Sequence, residues 1–152
     1  VFLILEYAMK PVQKNRSNYI FFKEYETRWR DNDVYGHMNN VVFYEFVDSI
    51  VNHWLNLSGG LSVPNSEVVG LVVETKCNYF SSLGFPHPVL CGLSVSNIGN
   101  TSVTYEVGLF DNSKQSAAAQ VSFVHVYVDC KTHKTVALPQ TLLDALNKIK
   151  TN

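Results

Sequence analysis

The hydrophobic and polar positions of this chain fall into two rhythms. Over residues 19–29 the run Tyr-Ile-Phe-Phe-Lys-Glu-Tyr-Glu-Thr-Arg-Trp is rich in aromatic and β-branched side chains, which predicts a first strand. The polar, glycine-bearing segment 30–40 interrupts it as a loop. Residues 41–57 then change period: Glu45, Asp48, Ser49, Asn52 and Asn56 recur at three and four and form one narrow polar stripe. The rest of that segment is largely apolar, so the spacing predicts a helix buried on most of its circumference. Asn39 or Asn40 is the expected N-cap, and Asn56-Leu57-Ser58-Gly59-Gly60 supplies the stop. Strand rhythm returns over 67–80, 88–98, 101–110 and 116–128, with turns at 97–100 and 111–114. A short strand over 135–137 follows. Pro139 then opens a helix over 140–149 with Leu142, Leu143, Leu146 and Ile149 on one face.

Such a sheet needs one face covered. The helix over 41–57 is about 25 Å long at 1.5 Å per residue, enough to lie across the strands. The expected class is α+β: a curled antiparallel β-sheet wrapped around one long central α-helix, with a short C-terminal helix. Residues 1–18 read as an N-terminal arm, loose and polar over 10–18. Met9 is a candidate start, which would make residues 1–8 a remnant preceding the native chain. Residues 19–150 read as a single domain, with no repeat, low-complexity tract or linker.

Composition narrows the function. At 152 residues, 46% hydrophobic and only 16% charged, the chain is one ordinary folded domain and not a disordered segment. Twelve basic and thirteen acidic residues give a net charge of −1, which leaves no global field for nucleic acid. Charge this sparse also suggests a surface partly covered by another subunit. Cys77, Cys91 and Cys130 are an odd number at wide spacing, with no CxxC pair, so neither a disulfide framework nor a zinc site is expected. No apolar run reaches the 18 residues of a membrane span. The opening Val1-Phe2-Leu3-Ile4-Leu5 lacks the basic flank and cleavage site of a signal peptide. The expectation is a cytoplasmic protein with no membrane partner and no bound metal.

The chemistry concentrates in Arg30-Asp31-Asn32-Asp33-Val34-Tyr35-Gly36-His37-Met38-Asn39-Asn40, followed by Val-Val-Phe-Tyr-Glu-Phe. This is similar to the D-x-D-x-x-G-H-x-N-N-x-x-Y pattern at the strand–helix junction of hotdog-fold acyl-CoA thioesterases of the 4-hydroxybenzoyl-CoA thioesterase type. Weaker likenesses lie at Val73-Glu74-Thr75 to Tyr79-Phe80 with Phe85-Pro86, at Ile98 to Val103, and at Val128-Asp129 to Leu138-Pro139. The resemblance runs from about Tyr19 to about Leu146. It implies a hotdog fold and hydrolysis of an acyl-CoA thioester to a free acid and coenzyme A. Coenzyme A belongs to the substrate, and no separate cofactor is implied.

Thioester hydrolysis needs a carboxylate to attack or to activate water, and donors for the developing oxyanion. The resemblance implies that Asp33 is that carboxylate, as nucleophile or as general base; Asp31 reads as structural, capping the loop or pairing with Arg30. The first N–H groups of a helix lack intrahelical partners and carry the positive end of its dipole. A helix starting near Asn40 therefore offers the backbone N–H of Asn40 or Val41 to a carbonyl oxygen. His37 is the loop histidine beside Asp33, with a structural or orienting role. Gly36 is expected at positive φ. Tyr35, Gly36, Asn39, Val41 and Tyr44 are the substrate-binding candidates. Glu74, inside an apolar strand where an unpaired buried carboxylate is costly, is a supporting or cross-subunit candidate. His53, His87, His125 and His133 have no sequence partner and read as structural or solvated. Cys77, mid-strand and far from any helix start, reads as inert.

Arg28, Arg30, Lys76, Lys131 and Lys134 are candidates for the coenzyme A phosphates. Phe43, Phe46, Trp54, Tyr79 and Phe80 read equally as pocket or as core. Two rival readings stand beside hydrolysis. One is a dehydratase or hydratase, from the likeness of Phe85-Pro86-His87-Pro88 to a dehydratase segment whose glycine and preceding histidine are missing here. The other is an acyl-CoA or acyl-carrier binder without turnover. One helix covers only one side of such a sheet, so a homodimer or homotetramer is expected, with the site between subunits.

Overall fold

The strand rhythm of residues 67–128 closes into one sheet around the predicted helix. A computed structural model describes residues 11–152; the expectations about residues 1–8 and a start at Met9 lie outside the described residues. Phe21–Tyr25 forms β1, Asn40–Leu57 α1, Val68–Tyr79 β2, Val89–Ile98 β3, Ser102–Asp111 β4, Ala119–Asp129 β5 and Gln140–Lys148 α2. The sheet runs β1-β3-β4-β5-β2 with antiparallel neighbours throughout. The α1 helix lies against β3 and β4. Its Val47, Ile50 and Val51 are fully buried, in one cluster with Leu93, Val107 and Leu109 of the sheet and Leu142 and Leu146 of α2. Glu45, Asp48 and Ser49 of the polar stripe face solvent. Among the described residues no helix is long and apolar enough to cross a membrane.

The first strand is shorter than its 19–29 run. Tyr19 turns into a small separate cluster with Phe110 and Ala117. It is seated over Gly108, where an added Cβ would lie 2.5 Å from its ring. Past Tyr25 the chain leaves the sheet, because the Asp31 carboxylate accepts the Arg28 N–H at 2.7 Å and closes a 3-10 turn over Trp29–Asp31. The strand expected over 135–137 is a single bridge from Val128 to Thr135. Residues 11–18 are not the loose arm expected. Gln13 donates to the Ala117 carbonyl at 2.8 Å, Asn15 bridges to Ser116, and the Arg16 guanidinium donates to the Asn112 and Lys114 carbonyls. The polar side chains that resemble a solvated tail are the ones that fasten it.

The β2 strand is a long edge, and its middle is uncovered. Leu71, Val72 and Val73 are 47%, 47% and 59% exposed. Val72 pairs with the buried His125 and Thr75 with the buried Phe123, so both lie on the core-facing side of the sheet, yet both are exposed. The register shifts between Val72 and Glu74, so Val73 is the residue of a bulge with no partner on β5. Glu74 is therefore exposed on an edge and not buried in an apolar strand.

Inside the sheet, His125 is only 2% exposed, and neither ring nitrogen has a hydrogen-bond partner among the described residues. The rings of Tyr105, Phe123 and Tyr127 surround it at 5.3, 5.0 and 6.0 Å between centroids. Burial pushes its pKa down to about 4. The unfolded chain binds a proton here below the ordinary 6.5, and the folded chain does not until about 4. The neutral ring's contribution is therefore complete above pH 6.5 and is lost as the pH falls toward 4. At about 1.4 kcal/mol per pKa unit it amounts to about 3 kcal/mol. Urea midpoints should drop between pH 7 and pH 4.5, and His125→Phe should flatten that drop; an equal drop in both proteins would refute the assignment.

Candidate active site

The loop between β1 and α1 is built on side-chain oxygens standing in for backbone acceptors. Asp33 folds it into a tight turn: its N–H donates to the His37 carbonyl at 2.7 Å, and its carbonyl accepts the Gly36 N–H at 3.1 Å. Its Oδ1 accepts from the N–H groups of Tyr35 and His37 at 2.8 and 3.2 Å. No bond among the described residues engages Oδ2. Gly36 sits at φ +79°, as the turn requires. The loop is held from outside as well, since Asn32 Oδ1 accepts the Phe85 N–H at 3.0 Å and the Met38 N–H donates to the Leu83 carbonyl at 2.8 Å.

Asp31 lies beneath this turn with its side chain 1% exposed. Its structural role is as expected, but its partner is Arg28 and not Arg30. The 3-10 turn brings the Arg28 N–H to 2.7 Å and the guanidinium Nε to 2.9 Å. The other arm of Arg28 reaches Glu45 of α1 at 2.7 Å, so this arginine is committed to the loop and leaves the set of phosphate candidates. Asp31→Ala strips charge-assisted acceptors from beneath the loop. It should lower unfolding stability by roughly 2–3 kcal/mol, read as a fall in the thermal midpoint; an unchanged midpoint would refute the anchoring role.

Asn39 is the N-cap of α1, its Oδ1 accepting from the Val41 N–H at 3.3 Å. The Val42 N–H is taken by the Asn39 carbonyl at 2.9 Å. The Asn40 N–H makes no hydrogen bond among the described residues. Of the two oxyanion donors expected, Asn40 is the free one and Val41 is engaged.

Asp33, His37, Asn40, Phe43, Tyr79 and Ser82 line one cleft of about 340 Å³. The Tyr79 ring meets Phe43 edge-on at 5.0 Å between centroids, and its hydroxyl donates to the Asn40 carbonyl at 3.4 Å. The far wall continues through Phe80 and on to Ser81 and Ser82, two serines that sequence reading passed over. Their only sequence signal is a polar pair where a strand rhythm stops. Phe46 and Trp54 belong to the core.

The structure does not bring every candidate here. Tyr35 and Val41 stand out at 81% and 65% exposure, and neither lines this cleft. Gly36 lines a neighbouring cleft of about 350 Å³ with Trp29, Val34 and the other side of Asp33. Tyr44 is half-buried against the core, and Asn39 is spent as the cap. Glu74, opposite Val124 on β5, does not reach the cleft within one chain. Cys77 is half-buried and its thiol pKa is raised by burial, the reverse of an activated nucleophile.

Comparison with known proteins agrees with this architecture. A family model described as the thioesterase-like superfamily matches residues 27–146. The solved structure of PA5185 from Pseudomonas aeruginosa strain PAO1 is 43% identical, with a TM-score of 0.89, and the match covers 93% of this chain and 99% of that one. Slr0204, a 1,4-dihydroxy-2-naphthoyl-CoA thioesterase from Synechocystis, is 18% identical with a TM-score of 0.76, over 84% of this chain and 95% of that one. SAV2348 from Staphylococcus aureus, solved in complex with CoA, is 17% identical with a TM-score of 0.77, over 87% and 86% of the two chains. The last two are likenesses of fold, and the fold they share with this chain is the hotdog fold.

Proposed function

The chain belongs to the thioesterase-like superfamily, and from that premise we propose that it hydrolyses an acyl-CoA thioester to a free carboxylic acid and coenzyme A. The observation that carries the reading is one cleft holding both a carboxylate oxygen without a hydrogen-bond partner among the described residues, on Asp33, and a free helix-start N–H, on Asn40. The carbonyl oxygen of the thioester rests at the Asn40 N–H, where the helix dipole favours developing negative charge. Asp33 then acts in one of two ways. As nucleophile it attacks the carbonyl carbon and forms a mixed anhydride; the coenzyme A thiolate leaves and takes a proton from solvent, and water opens the anhydride. As general base it takes a proton from water as that water attacks the same carbon, and the proton passes to the departing sulfur. Phe43, Tyr79 and Phe80 give the acyl group an apolar wall.

A second copy completes this reading. The uncovered middle of β2 presents unpaired backbone and three exposed apolar side chains, Leu71, Val72 and Val73. An antiparallel pairing of this edge with itself about a two-fold axis would cover it, as a homodimer or as half of a homotetramer. Residues of the second chain would then stand over the open cleft at Asp33. Supporting a coenzyme A thioester as ligand is the CoA found in SAV2348.

The test is thiol release from a panel of straight-chain and aromatic acyl-CoA substrates. Release from at least one of them is expected. Saturable acyl-CoA binding with no release across the panel would replace the hydrolase with the non-catalytic binder.

A further inference from the structure

We propose that Lys131 and Lys134, on the turn that follows β5, hold the phosphates of coenzyme A at the cleft of a second copy of this chain, so that each Asp33 works with the basic turn of the other subunit. The inference rests on the acyl-CoA and two-fold readings above, and adds to them a register and two residues.

The bulge at Val73 fixes the register. Opposed residues of antiparallel strands turn to the same face of a sheet. Before the bulge, Gly70 and Val72 lie opposite the buried Tyr127 and His125; after it, Thr75, Cys77 and Tyr79 lie opposite the buried Phe123, Val121 and Ala119. The core-facing positions of β2 are therefore even-numbered on one side of the bulge and odd-numbered on the other. A second β2 keeps core against core only when even positions meet odd ones. Centred on the exposed run 71–76, that pairing sets Val72 opposite the partner's Thr75, Gly70 opposite the partner's Cys77 and Tyr79 opposite the partner's Val68. Tyr79 walls the cleft at Asp33, so the start of the partner's β2 arrives at that cleft.

The basic turn arrives with it. Val68 pairs with Asp129 of β5, and the Cys130 N–H donates to the Glu67 carbonyl at 2.8 Å. Asp129 sets the turn: its Oδ1 accepts the N–H groups of Lys131 and Thr132 at 2.9 and 2.7 Å, and its own N–H donates to the Lys134 carbonyl at 2.9 Å. Lys131 and Lys134 are exposed, and among the described residues neither forms an ion pair, with Asp129 and Glu67 included. The partner's Asp129 stands two strand spacings from Tyr79, about 10 Å. The pantetheine arm between thioester and phosphates is as long as about four extended residues, roughly 14 Å. A free pair of cations at this range suits phosphates whose thioester lies at Asp33. Lys76 sits between the core-facing Thr75 and Cys77, so it turns to the outer face, away from the cleft.

The first test needs no turnover. Sedimentation should show wild type as a dimer or tetramer. Calorimetric binding of coenzyme A should weaken at least about tenfold in the double variant Lys131→Glu, Lys134→Glu, and far less in Lys148→Glu, Lys150→Glu, which changes net charge equally. Should the first variant fold poorly, Lys131→Gln, Lys134→Gln removes the charges without reversing them. The second test mixes chains: Asp33→Asn subunits exchanged with Lys131→Glu, Lys134→Glu subunits should regain high-affinity thiol release, because one cleft of each mixed dimer then has Asp33 from one chain and both lysines from the other. A monomeric wild type, equal coenzyme A affinity in the two charge-reversed variants, or mixed dimers no better than the sum of their parents would overturn the proposal. Tight coenzyme A binding that depends on the two lysines, with no thiol release from any acyl-CoA, would instead remove the hydrolase reading and leave this site standing.

Discussion

Replacing Asp33 by asparagine should lower kcat/KM for thiol release by at least about a hundredfold, the scale of a lost general base, while leaving the fold in place. The loop geometry makes the substitution clean. Both hydrogen bonds to the carboxylate end on Oδ1, from the N–H groups of Tyr35 and His37. An amide oxygen accepts the same two bonds, so the turn survives while the negative charge and the free oxygen are lost. Asp33→Ala removes the acceptor as well, and should add a lower thermal midpoint to the same loss of activity. Thiol release and thermal unfolding measured on the three proteins separate the two roles. An asparagine variant with wild-type turnover would remove Asp33 from the chemistry and leave it only as a turn residue.

The second large effect is expected at the β2 edge. Val73→Pro should yield a monomer and reduce thiol release at least about tenfold, through loss of the groups that position the substrate over the cleft. Proline is tolerated at bulges and on sheet edges but blocks the pairing of a further strand. Val73 is both a bulge and an edge residue, so the single chain should keep its circular dichroism spectrum. Sedimentation of wild type and variant decides the matter. A wild-type monomer would refute the pairing, and a monomeric variant with full activity would place the whole site within one chain.

Much of this molecule was legible without coordinates, for reasons that are local. The polar stripe of α1, the alternation of β2 to β5 and the Asn39 cap are properties of neighbours three or four residues apart, or two. Their boundaries came within a few residues because caps and turns stop elements by short-range bonds. Where the reading failed, a long-range partner was responsible. Residues 11–18 are polar in either state, and only the docking of Gln13, Asn15 and Arg16 onto residues 112–117 tells an anchored arm from a loose one. Glu74 looked costly because its neighbours are apolar, but the bulge at Val73 and the edge position of β2 leave it in solvent. The pairing of Asp31 with Arg28 depends on a 3-10 turn whose sequence carries no periodic signal.

The loop–helix motif by itself determined that a carboxylate and a helix start would share one place, because eleven residues of chain hold both. Which donor is free was decided only in three dimensions: the Asn39 side chain takes the Val41 N–H and leaves that of Asn40. The same division holds for the histidines. Spacing assigned His125 to the middle of a strand. Only the sheet register, which sets Gly70 beside Tyr127 and Val72 beside His125, packs the ring among Tyr105, Phe123 and Tyr127 and leaves both its nitrogens without a hydrogen-bond partner among the described residues. Periodicity records which face a residue turns to the core. What stands on the other side of that core is supplied by strands and helices far away in the chain, and the chemistry of a buried group depends on them.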